Sequence, residues 1–225
     1  MNTRAAVFDV DGTLVDTNHL HVVCWWQALR QAGHRVPMTD VHAAIGLGST
    51  DLLAHVLGEE RDRSQDTDIS AGHKALYGTF HERLAPFEGA AALLRRLHTE
   101  GWRVVLATSA SGPELAALRA ALDADDALSA MASADDVRSG KPAPDPVLDA
   151  VQRVGAQPRD SVFVGDSVWD MQAARRAGLV PVALLSGGIS RAALQEAGAV
   201  EVYDGTQDLL RHLEHSVIAS VARTR

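Results

Sequence analysis

Short, almost wholly apolar runs recur along this chain between longer amphipathic stretches, and this repetition constrains the fold more than any other feature. Runs at 5–10, 104–107, 161–164, 181–185 and 200–203 read as strands buried on both faces, with a weaker one at 130–133. Segments with helical periodicity lie between them at 90–100, 113–122, 146–154, 169–177 and 191–197. Strands alternating with helices imply an α/β protein, a doubly wound parallel sheet with helices on both faces. The stretch 16–86 breaks the rule, because helix-period patterns follow one another there without a convincing strand. The chain therefore divides into an α/β core of 1–15 and 87–225 and an all-helical insert of 16–86. Loop chemistry at Val15-Asp16-Thr17 and around Pro86 marks two hinges. The chain beyond Ser216 is expected to fray.

Composition limits the partners. With 225 residues, 46% apolar and 22% charged, the chain is long enough for one core domain and a smaller one. The formal net charge of -8, with no basic stripe, argues against nucleic acid. No run approaches the roughly 20 apolar residues of a membrane helix, and the start at Met1-Asn2-Thr3-Arg4 has no apolar leader segment. One cysteine, Cys24, excludes an internal disulfide and fits a reducing compartment, so a soluble cytoplasmic protein is expected, as a monomer or homodimer.

The chemistry gathers at strand ends. Asp9 closes the first strand, Asp11 follows two residues later, and Gly12-Thr13 permits a tight turn. Thr108-Ser109 follows the second strand, Gly140-Lys141-Pro142 comes after the third region, and Gly165-Asp166-Ser167 with Asp170 follows the fourth. Ligands of open α/β sheets bind outside these carboxyl ends. Four carboxylates, a hydroxyl and one ammonium at a single edge suit a hard cation, and Mg2+ takes oxygen ligands together with water and substrate phosphate. Lys141 and Thr108 would hold the remaining phosphoryl oxygens. Lysine usage sharpens this reading. Lys74 and Lys141 are the only lysines, and arginine fills every other Lys/Arg position, so a compact ammonium at 141 suggests a site that a planar guanidinium would not fit.

These motifs resemble the haloacid dehalogenase superfamily of aspartate-nucleophile phosphotransferases. Asp9-Val10-Asp11-Gly12-Thr13-Leu14 is similar to its first motif, Thr108 to its second, Lys141 in Gly-Lys-Pro to its third, and Gly165-Asp166-Ser167-Val168-Trp169-Asp170 to its fourth. The resemblance implies a Rossmann-like core with a helical cap. It also implies a Mg2+-dependent phosphatase for a small phosphomonoester of the sugar phosphate or phosphoglycolate type. In that scheme Asp9 is the nucleophile and Asp11 the acid and base. Asp9, Asp166 and the backbone carbonyl of Asp11 hold the metal. Gly12, Thr108, Ser109 and Lys141 bind phosphate, and Asp170 supports the metal shell or orients Lys141.

Specificity would then lie in the cap. His21 and Trp25, four apart on the helix beginning near Thr17, share a face that could look down on Asp11, though packing between helices competes as an explanation. One of Trp25 and Trp26 is expected to pack and the other to face the site. Gly46-Leu47-Gly48-Ser49-Thr50 resembles a cap loop that dips toward phosphate, with Gly48 and Ser49 as contacts. Lys74 and His73 are placed to meet an anionic group, against a solvated face. Three rivals share parts of the pattern. A β-phosphoglucomutase-like mutase would need a cap arginine where Ser49-Thr50 stands. A dehalogenase lacks the paired Asp11 acid and the metal set, and a phosphoacceptor receiver module lacks the long insert and a second carboxylate like Asp11.

Overall fold

The computed structural model describes residues 3–133 and 139–223, so Met1 and Asn2 of the expected leader-free start lie outside the described residues. Six strands form one sheet: β1 (Ala5–Phe8), β2 (Arg103–Ala107), β3 (Leu128–Ala132), β4 (Val162–Gly165), β5 (Val180–Leu184) and β6 (Glu201–Tyr203). All neighbours are parallel, in the order β3-β2-β1-β4-β5-β6. The central strands are apolar throughout because successive side chains enter two different cores. Ala6, Phe8, Val104, Leu106, Val162 and Val164 face one of them. Ala5, Val7, Val105, Ala107 and Phe163 face the other. The weak strand expected at 130–133 is a full edge strand, β3.

Helices α1 (Asn18–Gln31), α2 (Met38–Ala44), α3 (Ser49–Leu57) and α4 (Asp66–Gly78) follow β1 with no strand between them. Among the described residues seven more accompany the rest of the sheet: α5 (Ala90–Thr99), α6 (Gly112–Leu122), α7 (Asp145–Arg153), α8 (Val168–Ala177), α9 (Arg191–Ala197), α10 (Thr206–His212) and α11 (Val217–Arg223). In α1, buried Asn18, His21, Val22, Trp25, Ala28 and Leu29 recur every three or four residues and make one packing stripe. Val22, Trp25, Leu29, Val41, Leu52 and Ile69 join α1 to α4 in a hydrophobic cluster of their own. The two chain crossings at the ends of this segment pair with each other, Asp16 N–H donating to the Ala85 carbonyl at 3.0 Å and Phe87 N–H to that of Leu14 at 2.9 Å. Among the described residues no helix is long and apolar enough to cross a membrane.

The tail departs from expectation. Residues beyond Ser216 form α11, whose Ile218 is fully buried and whose Val217 and Val221 pack on the larger core. Glu201 accepts from the Val217 N–H at 2.9 Å and ties the start of this helix to β6. Position near a terminus suggested fraying, but a short apolar stripe and one backbone anchor outweigh it.

Candidate active site

The register of the sheet sets the site. Phe8 lies opposite both Leu106 and Val164, so the residues that follow, Asp9, Thr108 and Asp166, emerge at one edge. That edge lies where the chain turns from β1 toward β2 on one side and β4 on the other, the crevice in which doubly wound sheets bind ligands. The Asp9 N–H stays in the ladder, donating to the Val164 carbonyl at 2.9 Å, which fixes the carboxylate beside β4.

Lys141 is 4% exposed and its ammonium donates to Asp9 Oδ1 at 2.6 Å and to Asp170 Oδ1 at 2.8 Å. The other Asp170 oxygen accepts from the Ser167 N–H at 3.1 Å and its hydroxyl at 2.7 Å, while Ser167 caps α8 by accepting from the Asp170 N–H. This capping box occupies one Asp170 oxygen and leaves the other to Lys141. Asp166 accepts from Thr13 Oγ1 at 2.6 Å and Asn18 Nδ2 at 2.8 Å. Oxygens of Asp9, Asp166 and Asp170 lie within 4.8 Å of one another, all buried. Burial, then Asp170, push the Asp166 carboxyl up to about 7. Burial also holds the Asp9 carboxyl well above the usual carboxylate range, with the nearby carboxylates adding to it and Lys141 opposing. One ammonium therefore does not balance three buried carboxylates, and an oxygen-only donor set with surplus negative charge fits a hard divalent cation.

Asp11 turns the other way. Its carboxylate accepts from Thr17 Oγ1 at 2.7 Å and lies 3.2 Å from His21 Nε2. Burial alone would raise its pKa, yet the His21 bond and charge bring it below the ordinary value. Burial works against the His21 cation in the same way, and the bond to Asp11 overrides it, so the His21 pKa is raised. His21 Nδ1 is 3.1 Å from His73 Nε2. Burial, reinforced by His21, holds His73 neutral with a pKa of about 2. A charged His21 thus donates from both nitrogens, to Asp11 and to a neutral His73 that accepts. Glu114, on α6, lies 3.8 Å from His21 Nε2, and burial pushes its carboxyl up to about 7.

A cleft of about 410 Å³ opens beside Lys141, with Gly48 and Ser49 of the helical segment facing Thr108, Ser109 and Gly140 of the sheet edge. Thr108 is buried and its hydroxyl accepts from the Ala110 N–H at 3.0 Å. Gly12 is engaged within its turn, its N–H donating to the Val15 carbonyl and its own carbonyl accepting from Ser186. Its φ of +75° and the Asn18 side chain, 2.3 Å from where a Cβ would stand, leave room only for glycine. Trp25 packs inside the helical segment, stacked on His73 with centroids 4.1 Å apart. Trp26 is half-buried under the Arg30 guanidinium, and neither tryptophan lines the cleft. Lys74 is exposed and also outside its lining.

Several neighbours were not anticipated. Thr17 and Asn18 hold Asp11 and Asp166, and Thr17 was read only as hinge chemistry. Glu114 had no motif around it, and Asp51, though it directly follows the 46–50 loop and completes a Ser-Thr-Asp helix start, was not read as a contact. The helical segment also docks on the sheet edge away from the cleft: Trp169 Nε1 donates to the Ala43 carbonyl at 3.1 Å and His42 Nε2 to that of Gly187 at 2.8 Å.

A family model described as haloacid dehalogenase-like hydrolase matches residues 3–178. The phosphoglycolate phosphatases of Salmonella typhimurium and Escherichia coli are each 30% identical to the chain. The first comparison covers 93% of this chain and 92% of its relative, the second 92% and 91%. A hydrolase from Pseudomonas syringae superposes with a TM-score of 0.90 at 33% identity, over 95% of this chain and 99% of that one. β-Phosphoglucomutase from Clostridium difficile superposes with a TM-score of 0.83 over 98% and 100% of the two chains, and at 17% identity it speaks for the fold alone.

Proposed function

The chain belongs to the haloacid dehalogenase-like hydrolase family, and on that premise we propose that it is a magnesium-dependent phosphatase, acting on a small organic phosphomonoester through an aspartyl phosphate on Asp9. The observation that carries this reading is the pairing of Asp9 with Lys141, buried at the same edge as Asp166 and the Asp11 carboxylate.

An oxygen of Asp9 attacks phosphorus, the bond from phosphorus to the leaving oxygen breaks, and Asp11 passes its proton to that oxygen. Asp11 is held as the carboxylate before substrate arrives, and as the phosphoryl charge approaches it takes up from solvent the proton that it then donates. Once the alcohol has left, the Asp11 carboxylate takes a proton from water, whose oxygen attacks phosphorus and releases phosphate and free Asp9. Lys141 and Thr108 cradle the phosphoryl oxygens, with Ser109 at the cleft wall. Asp9, Asp166 and the carbonyl of Asp11 would hold magnesium, which when bound supplies positive charge to the phosphoryl oxygens and lowers repulsion toward Asp9. Asp170, both of whose oxygens are engaged, orients Lys141. In this reading 16–86 is the cap over a core of 1–15 and 87–225. Gly48 and Ser49 face the leaving group, His21 acts on Asp11, and Trp25 and Lys74 contribute indirectly. We infer a cytoplasmic location, a reducing compartment in which the buried Cys24 stays a thiol.

Hydrolysis of p-nitrophenyl phosphate tests the proposal. Turnover with magnesium is expected to stop on chelation, and to vanish in Asp9→Asn while circular dichroism stays that of the folded parent and unfolding remains one cooperative transition. Sustained turnover by that variant would overturn the covalent mechanism.

A further inference from the structure

Beside Lys141 the described lining of the cleft is built largely from hydroxyls, with one carboxylate. Ser49 and Thr50 of α3 face Ser109 and Ser139 of the sheet edge, and Asp51 stands among them at the first turn of α3. Asp51 is exposed toward the cleft, and its Oδ2 would come 3.7 Å from a Cβ built on Gly140, the residue before Lys141. The carboxylate therefore overhangs the entrance to the phosphate cradle. Lys141 is the only cationic side chain in the lining among the described residues, and its ammonium is already shared between Asp9 and Asp170. Arg61 lies within electrostatic reach of Asp51, but its guanidinium is bound by both oxygens of Asp66 and the carbonyls of Gly58 and Thr50. The α3 N-terminus contributes about half a positive charge, against a full negative charge on Asp51.

Resting on the phosphatase reading, we propose that Asp51 makes this cleft select an uncharged, hydroxyl-rich leaving group, as in a polyol or sugar phosphate, and reject a leaving group that carries a carboxylate. Vicinal hydroxyls donate to the Asp51 carboxylate and exchange hydrogen bonds with Ser49, Thr50, Ser109 and Ser139. A second carboxylate on the substrate meets Asp51, and among the described lining residues the one cation is the Lys141 ammonium already shared by Asp9 and Asp170. This sets the chain apart from what the names of its phosphoglycolate phosphatase relatives describe.

Calorimetric titration of the Asp9→Asn protein with magnesium, glycerol 1-phosphate and 2-phosphoglycolate reads the preference without turnover. At least tenfold tighter binding of the glycerol ester is expected, and adding Asp51→Asn should shrink that ratio about fivefold or more, chiefly by strengthening 2-phosphoglycolate. Equal or tighter binding of 2-phosphoglycolate overturns the proposal, as does an unchanged ratio in the double variant or failure to bind either ester. Hydrolysis of acetyl phosphate by the unaltered protein separates the two readings. If it is turned over while the ratio is wrong, only the role of Asp51 falls. If it is not, the phosphatase reading falls with it.

Discussion

Glu114 has its side chain 3.8 Å from His21 Nε2 and 17% exposed, with its pKa moved from 4.5 to about 7, chiefly by burial. A carboxyl whose folded value lies above its unfolded one is protonated preferentially in the folded state. Stability is therefore lost as pH rises from about 4.5 through about 7. Glu114→Gln removes this titration with little change of shape. The variant should gain on the parent between pH 5 and pH 8 by up to about 3 kcal/mol, an upper limit given partial solvent access. Urea unfolding of both proteins at the two pH values measures the double difference, in which the titration of Asp9 and Asp166 cancels. A difference independent of pH would mean that Glu114 is solvated and ionised throughout. Nothing local marks this residue, since it acquires its environment from α1 and α4, far away in the chain.

At the level of elements, the loop after β5 is as much part of the site as the strand ends that carry the acids. A Cβ on Gly187 would fall 1.8 Å from Asp166 Oδ2, an oxygen already fixed by Asn18. Gly187→Ala must therefore displace Asp166, and the magnesium concentration for half-maximal activity is expected to rise at least tenfold. An unchanged requirement would remove Asp166 from the metal shell. The central strands β1, β2, β4 and β5 were legible because burial on both faces leaves continuous apolar runs, which the partly exposed edge strands β3 and β6 lack, and the acids because they sit at strand ends, where position alone brings them together. Helix α9 matches its expected bounds, whereas α10 was not anticipated and α11 falls in the tail expected to fray; Leu209 and Ile218 hold them on a core built by residues far off in the chain. Asn18 on Asp166 spans 148 positions, and Asp51 of α3 comes near Gly140 from the far side of α4, α5, β2, α6 and β3 in the chain. Such contacts have no periodicity or spacing to announce them. The histidine and tryptophan of α1 were placed on one face, but their partners, His73 and Tyr77 of α4, decide that His21 reaches Asp11 while Trp25 packs behind it.

For the whole molecule, the cluster of acids makes folding and metal binding one equilibrium. Three carboxylates and one ammonium are buried together where the two halves of the sheet meet, so a cation that binds only the folded chain stabilises all of it. At a hundredfold excess over Kd, magnesium should contribute about 2.7 kcal/mol. For a chain of this size that corresponds to a rise in Tm of roughly 5–11 °C, taking about 2–4 °C per kcal/mol. Asp166→Asn should reverse the dependence. Without metal at pH 8 the variant melts above the parent, because the Asp166 pKa, raised from 3.8 to about 7, makes its ionisation a cost that grows as pH rises through that range. The buried Asn18 Oδ1, which has no hydrogen-bond partner, can turn to accept from the replacement amide. With magnesium the order inverts, since the parent gains the full shift and the variant little of it. Melting curves of both proteins with and without magnesium, at pH 8 and pH 4, carry the test without any substrate. A parent Tm indifferent to magnesium would leave the acid cluster as an ion pair around Lys141 and no metal centre. An equal rise in both proteins would place the ion elsewhere on the chain.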